Sequence, residues 1–279
     1  MNIRNQICDQ INMASNVDFL LIVLLSISVA HAWNYREQEK WPAEFCGNGI
    51  AQSPIDLDES NLIKIQQEPL SFQNWDQVHN STVLNNGHTI LVELPQTRPI
   101  SVRGGGLPGT YNLVQFHFHW GSEHTVGGNR KAFESHFVTY NNKFSSLREA
   151  LKYHNGIAVL GILYELSDKE NRPLKTIVNQ LGRCKQLKGS AQIRIRPIDF
   201  LPYDKTKFVR YDGSLTTPDC NDVVVWTIFS EFCHISKAQI AKFAAIRNQE
   251  GERISSNYRD VQPLNGRRVD EICTTYHCC

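Results

Sequence analysis

The chain has 279 residues, 41% of them apolar, and a formal net charge of +1. That length and apolar content are enough for one large domain with a real core. The near-neutral charge excludes the basic footprint of a nucleic-acid binder or an anionic-membrane binder, and no internal repeat or linker divides the chain.

In chain order, the first feature is the apolar run Phe19 to Val29, which is too short to span a bilayer. Ala30-His31-Ala32 follows it and fits the small-x-small cleavage pattern of secretory signal peptides. Residues 1–32 are therefore expected to be a signal peptide, the mature chain to begin at Trp33, and the protein to be secreted and extracellular. Because the stretch before the run is long and weakly basic, Met13 is an alternative start. A short uncleaved anchor is the lesser reading. Asn80-Ser81-Thr82 is the only glycosylation sequon and is expected on a surface loop. The last residues carry no apolar run, so no membrane anchor or lipid signal is expected.

Leu113 to Trp120 and Ala132 to Tyr140 alternate apolar and polar residues and are rich in aromatic and β-branched types. Both are predicted strands. Gly121 to Lys131 holds three glycines and is a plausible reversal, which lays the second strand antiparallel beside the first. Side chains two apart on a strand share a face, so His117 and His119 stand together. His136 can then stand opposite them. Three imidazoles on two rigid strands, with no fourth ligand nearby, suit a catalytic zinc with one position left for water. Gln115 and Glu134 each precede a ligand by two and occupy the same face. They are candidate partners for the other ring nitrogens of His117 and His136, fixing the tautomer and raising basicity. A structural polar cluster is the competing reading.

Ser146 with Glu149 and Ser236 with Gln239 have capping-box spacing and open modest helices; Pro173 to Leu187 is a third. Gly156 to Tyr164 and Val223 to Phe229 are continuous apolar runs, read as central strands buried on both faces. This content gives an α+β or mainly-β fold. Of the 8 cysteines all but Cys8 lie beyond the expected signal, which suits an oxidising compartment. Cys184 and Cys233 are read as buried thiols, in the third helix and an apolar strand. Cys273, Cys278 and Cys279 form a Cys-rich tail over 269–279, paired within itself or between chains.

From about Trp33 to Arg268 the chain resembles the α-class carbonic anhydrases. The resemblance rests on Gln52-Ser-Pro-Ile-Asp56, Asn85-Asn-Gly-His88, Gln115-Phe-His-Phe-His-Trp120, Gly121-Ser-Glu-His-Thr125, Gly213-Ser-Leu-Thr-Thr-Pro218, Trp226 and Asn257-Tyr-Arg-Asp-Val-Gln-Pro263. It implies one catalytic domain over 33–268 around a large, mostly antiparallel sheet with few short peripheral helices. It implies one zinc ion per chain, held by His117, His119 and His136, and reversible hydration of carbon dioxide to bicarbonate and a proton. The nucleophile would be a zinc-bound hydroxide, since such a site brings its water to a pKa of about 7, a known property of carbonic anhydrases. Weak ester hydrolysis and inhibition by sulfonamide-type compounds would follow.

By the same resemblance Thr216 accepts the hydroxide's hydrogen bond and passes its own to Glu123. Val138, Val159, Leu215, Val224 and Trp226 form a dry wall. Thr217, Gln115, Asn86 and Tyr35 form the polar one, Glu134 and Asn257 back the ligands, and His88 shuttles protons. Cys46 and Cys220 stand where extracellular members carry a disulfide. His79, His124, His154, His234 and His277 receive no role. The connection from His119 to Glu123 is short, and Leu91 stands where a polar residue is common. A helical His-Glu-x-x-His hydrolase motif is absent. A binding module of the same fold would have lost a ligand, which this chain has not.

Overall fold

The structure is a computed structural model and describes residues 33–274. The expected signal peptide, Cys278 and Cys279 lie outside the described residues. Strands dominate, and among the described residues they assemble into a 13-stranded sheet and a small 3-stranded one. The centre of the larger sheet is built from the runs richest in β-branched and aromatic residues: Tyr111–Trp120, Phe133–Asn141, Ile157–Ser167 and Val224–Phe229, side by side in that order. The first three pair antiparallel, whereas Ile157–Ser167 and Val224–Phe229 run parallel. Most other pairings are antiparallel, as expected, and the helices are short and few.

Alternation along Tyr111–Trp120 separates two environments. Phe116 and Phe118 point into a large apolar cluster, where Phe116 stacks on Phe137 at 4.5 Å. Each such fully buried side chain contributes about 1.5–3 kcal/mol relative to exposure. Gln115, His117 and His119 point the other way, toward a second cluster that includes Val138, Val159 and Trp226. With packing on both faces, Ile157 to Tyr164 is entirely buried. The expected buried character of that run follows from this.

Ser236 caps Lys237–Phe243 with both halves of a capping box, and Ser146 caps the single turn Leu147–Ala150. The third helix is shorter than expected. It spans Arg172–Val178, and turns replace it from 179 to 187. Asn179 and Gly182 are poor helix formers, and the apolar spacing there serves the burial of Leu181 and Cys184 in turns. Both Cys184 and Cys233 are free thiols; Cys184 is buried and Cys233 partly so. Val269–Cys273, expected as tail, is a strand of the sheet between Lys207–Gly213 and Leu62–Gln66, with Val269 and Ile272 buried. Cys273 is disulfide-bonded. The sequon residue Asn80 is exposed but sits in the strand His79–Asn85, opposite Arg194, rather than on a loop.

Cys46 and Cys220 are bonded, with Cα atoms 5.1 Å apart and a sequence separation of 174. The bond ties the N-terminal segment to the loop carrying Thr216. Closing so long a loop removes about 5 kcal/mol of unfolded-state entropy in the chain-entropy model. Reduction is expected to lower Tm by about 10 °C and to slow catalysis by loosening that loop. Thermal scans with and without reductant check this; coincident transitions would contradict it.

Candidate metal centre

The register of the two central strands brings the histidines together. His136 lies directly opposite His117, and Glu134 directly opposite His119. His119 and His136 are buried and His117 is partly so. Each ring has one nitrogen fixed from outside. His117 Nδ1 donates to Gln115 Oε1 at 3.0 Å, and His119 Nδ1 to the Asn257 carbonyl at 2.7 Å. His136 Nε2 donates to Glu134 Oε1 at 2.7 Å. With those nitrogens carrying the protons, the remaining one on each ring presents a lone pair. His119 Nε2 and His136 Nδ1 face each other at 3.1 Å, and the potential ligand atoms of all three residues lie within 4.8 Å of one another. Lone pairs facing at that distance repel unless a cation sits between them. The donor set can hold a metal ion.

Burial pushes the pKa of His117 well below its ordinary value, and the neighbouring His119 and His136 rings push it further. Burial also lowers His119, against the pull of Glu123. Both imidazoles are therefore neutral at physiological pH, the form a metal requires. A depressed folded pKa means the unfolded chain takes up protons first as pH falls through about 6.5. Stability is retained above that value and lost below it. The metal-free protein is expected to unfold at lower denaturant concentration at pH ~5.5 than at pH ~7.5. Equal midpoints would count against neutral rings.

Glu134 anchors more than one ring. Its Oε2 accepts from the backbone N–H groups of Glu123 and His124 at 2.7 and 2.9 Å. Its Oε1 also accepts from His124 Nδ1 at 2.7 Å. Burial alone raises its pKa, but the His124 and His136 rings outweigh that and hold the carboxyl well below the usual range. His124, given no role from the sequence, is buried in this network, with Nε2 2.6 Å from the Tyr211 hydroxyl. That hydroxyl bonds Ser53 Oγ at 3.0 Å, and Ser53 Oγ accepts from Ser214 N–H at 3.0 Å. The chain of contacts runs from a ligand to the loop ahead of Thr216. Gly161 stands opposite His136. A Cβ there would lie 2.5 Å from Ile228 Cδ1 and 3.3 Å from Glu134 Oε1, so the carboxylate is accommodated by a missing side chain.

The remaining expected residues fall around this cluster. Gln115, Val138, Val159 and Trp226 are successive register partners across four strands, a continuous row beside the histidines. Val224 is two before Trp226 and buried, and Leu215 is partly buried. The Trp226 ring lies 4.8 Å from His136, and its indole N–H donates to the Ser214 carbonyl at 3.0 Å. Thr216 is buried at 6% exposure, and Thr217 accepts at its carbonyl from Cys220 N–H. Glu123 is fully buried. Its Oε1 accepts from Arg259 N–H at 2.8 Å, while its Oε2 lies 3.9 Å from His136 Nδ1 and has no hydrogen-bond partner among the described residues.

His88 is half-buried on a turn held by Asn86 Oδ1, which accepts from the N–H groups of His88 and Thr89 at 3.0 and 2.9 Å. Asn86 thus shapes the turn, and its side chain is exposed. Asn257 joins that turn to the metal strand. Its Nδ2 donates to the His88 carbonyl at 3.2 Å and its Oδ1 accepts from Trp120 N–H at 2.9 Å. Tyr35 lies close enough to Glu123 for that charge to act with burial in raising its phenol pKa well above the ordinary value. Leu91 is opposite His117 in register and so shares its face.

A mainly-β sheet that presents converging imidazoles with ordered partners is an arrangement able to hold a metal ion. The family model for eukaryotic-type carbonic anhydrase matches residues 36–272, and the chain belongs to that family. Carbonic anhydrase 6 of Bos taurus is 33% identical over 276 residues, covering 91% of this chain and 84% of the relative. Carbonic anhydrase 3 of Homo sapiens is 34% identical over 261 residues, covering 86% and 98%. The chain is an enzyme of this family, whose reaction is the hydration of carbon dioxide. Among the described residues no helix is long and apolar enough to cross a membrane.

Proposed function

We propose that the chain is a secreted carbonic anhydrase that interconverts carbon dioxide and bicarbonate at one zinc ion held by His117, His119 and His136. The observation that carries this is the convergence of three ring nitrogens whose opposite nitrogens are all engaged as donors. An all-imidazole set suits zinc. Bound there, zinc keeps its full double charge and lowers the pKa of a coordinated water to about 7, which supplies the nucleophile at neutral pH.

The protein's own side chains do the rest. Glu123 Oε2, buried and without a hydrogen-bond partner among the described residues, is an acceptor waiting for a hydroxyl proton, and Thr216 is the residue we assign to it. Thr216 Oγ then has only its lone pairs to offer the reacting oxygen, which fixes that oxygen's orientation. Val138, Val159, Leu215, Val224 and Trp226 exclude water beside it and leave a dry surface for an apolar gas. Thr217, Tyr35 and Gln115 provide the polar side. His88 moves protons between the site and buffer. Ester hydrolysis is a side reaction of the same nucleophile.

The domain reading is a signal peptide over 1–32 and a catalytic domain from 33, to which the strand Val269–Cys273 also contributes. An oxidising destination agrees with the Cys46–Cys220 bond, and Asn80 is exposed for glycan attachment. Stopped-flow carbon dioxide hydration by the purified protein, with and without a zinc chelator, tests the whole reading. Activity that survives complete zinc removal, or no activity in the zinc-loaded protein, would overturn it.

A further inference from the structure

The connection from His119 to Glu123 leads at once into a hairpin. Thr125–Val126 pairs antiparallel with Asn129–Arg130 across Gly127 and Gly128. Both glycines have positive φ, 55° and 77°, the backbone that a tight two-residue reversal of this hand requires. The reversal returns Arg130 to the loop the chain has just left. Arg130 Nη1 donates to the Ser122 carbonyl and, at 3.2 Å, to the Glu123 carbonyl. The guanidinium also lies over the Tyr258 ring, 3.9 Å from its centroid. Among the described residues it forms no ion pair, so two carbonyls and an aromatic face are what hold it.

Tyr258 stands between two residues that the site uses. The Asn257 carbonyl accepts from His119 Nδ1, and Arg259 N–H donates to Glu123 Oε1. Gly121, at φ 50°, makes room for the stack. A Cβ there would lie 2.9 Å from two Tyr258 ring carbons and 3.2 Å from Arg130 Cδ. Glu123 is thus held from two segments: its N–H by Glu134 Oε2, and its carboxylate by the backbone of Arg259. Arg130 touches both, through the Glu123 carbonyl and the ring between Asn257 and Arg259. A planar guanidinium can meet two carbonyls with its edge and a ring with its face, which a lysine ammonium cannot do together. The 257–259 segment has further ties. Asn257 bonds Phe118 and Trp120, and the Arg259 guanidinium bonds the Ser53 and Cys46 carbonyls. Loss of Arg130 is therefore expected to shift this segment rather than unfold it.

We propose that Arg130 is a positioning residue for the hydration step: stacked on Tyr258, it keeps the Glu123 carboxylate seated on Arg259 N–H, with Oε2 aimed at its hydroxyl donor. It touches neither substrate nor metal and acts only through Glu123, so the inference rests on the role proposed for that residue. A misplacement of about 1 Å at an aligned group can cost about 100-fold, so a partial loosening here is expected to cost about tenfold.

The test is stopped-flow kcat/KM for carbon dioxide hydration, with zinc content, for Arg130→Gln and Tyr258→Leu, each made in the wild type and in Glu123→Gln. In the wild type each is expected to lower kcat/KM about tenfold with one zinc per chain retained. In Glu123→Gln, itself much slower, neither is expected to lower it further, because the residue they act through is already gone. Asn129→Ala removes a hydrogen bond within the same hairpin and leaves the guanidinium, and is expected to keep wild-type activity. Undiminished kcat/KM in Arg130→Gln and Tyr258→Leu would overturn the proposal. Equal losses in both backgrounds, or the same loss in Asn129→Ala, would show general loosening of the fold and overturn it. Zinc lost along with activity would mean that the arginine supports the ligands instead, and would overturn it too. Wild-type activity in Glu123→Gln alone would sink the role given to Glu123, and this inference with it.

Discussion

His119→Ala is expected to cost the protein its zinc and nearly all of its hydration activity. The ring is buried, its Nδ1 is held by the Asn257 carbonyl at 2.7 Å, and its Nε2 faces His136 Nδ1 at 3.1 Å. Losing merely a partner that orients a ligand lowers metal affinity or activity by about 10–100-fold. Losing the ligand itself removes a bond to the metal and leaves a void lined by Glu123 and His136. Without the ion, the pKa of water returns far above neutrality and water supplies no nucleophile at neutral pH. Metal analysis after dialysis and stopped-flow hydration check the result, with circular dichroism reporting that the fold persists. Stoichiometric zinc in the variant would sink the ligand assignment.

Part of the histidine cluster is legible in the sequence because a strand has a period of two, and that period alone puts His117 with His119 and Gln115 with His117. Glu134 is legible for the same reason. What period cannot give is register. The row Gln115, Val138, Val159, Trp226 exists because four strands align at those residues, and only the family resemblance anticipates it. His124 has no legible role because one of its partners, Tyr211, lies 87 residues further on. Its neighbour Glu123 stands in a recognisable motif, but nothing local says that Glu134 accepts from His124 as well as from His136. Gly161 is equally silent, since a missing side chain has meaning only beside what fills its place. The strand Val269–Cys273 escapes the pattern because a five-residue segment carries too little alternation, and its partner Leu62–Gln66 lies near the other end of the described chain. The helix from 173 is overextended for the opposite reason: apolar spacing continues while Asn179 and Gly182 end the hydrogen-bonded turns.

His88→Ala is expected to lower kcat on the order of tenfold or more in weak buffer while leaving kcat/KM nearly unchanged, because the proton leaves after the bond to carbon dioxide has formed. The structure supports a shuttle at this position in two ways. The turn is fixed, with Asn86 holding the His88 N–H and Asn257 holding its carbonyl, the same asparagine that positions His119. Burial also lowers the His88 pKa from 6.5, against a weaker pull from Glu250. A lowered pKa keeps the ring unprotonated, and so able to accept a proton, at pH values where an exposed histidine is already charged. The His88-dependent part of kcat is therefore expected to persist below pH ~6.5. Leu91 acts in the other direction. It shares the face of His117, and by the family resemblance it stands where a polar residue is common. The wild type is thus expected to gain some rate from added imidazole, and the variant to gain much more, the two curves meeting at high imidazole. The measurement is kcat against imidazole concentration for both proteins. Superimposable curves from the lowest concentration upward would show that His88 carries no proton flux, and that buffer alone serves this site.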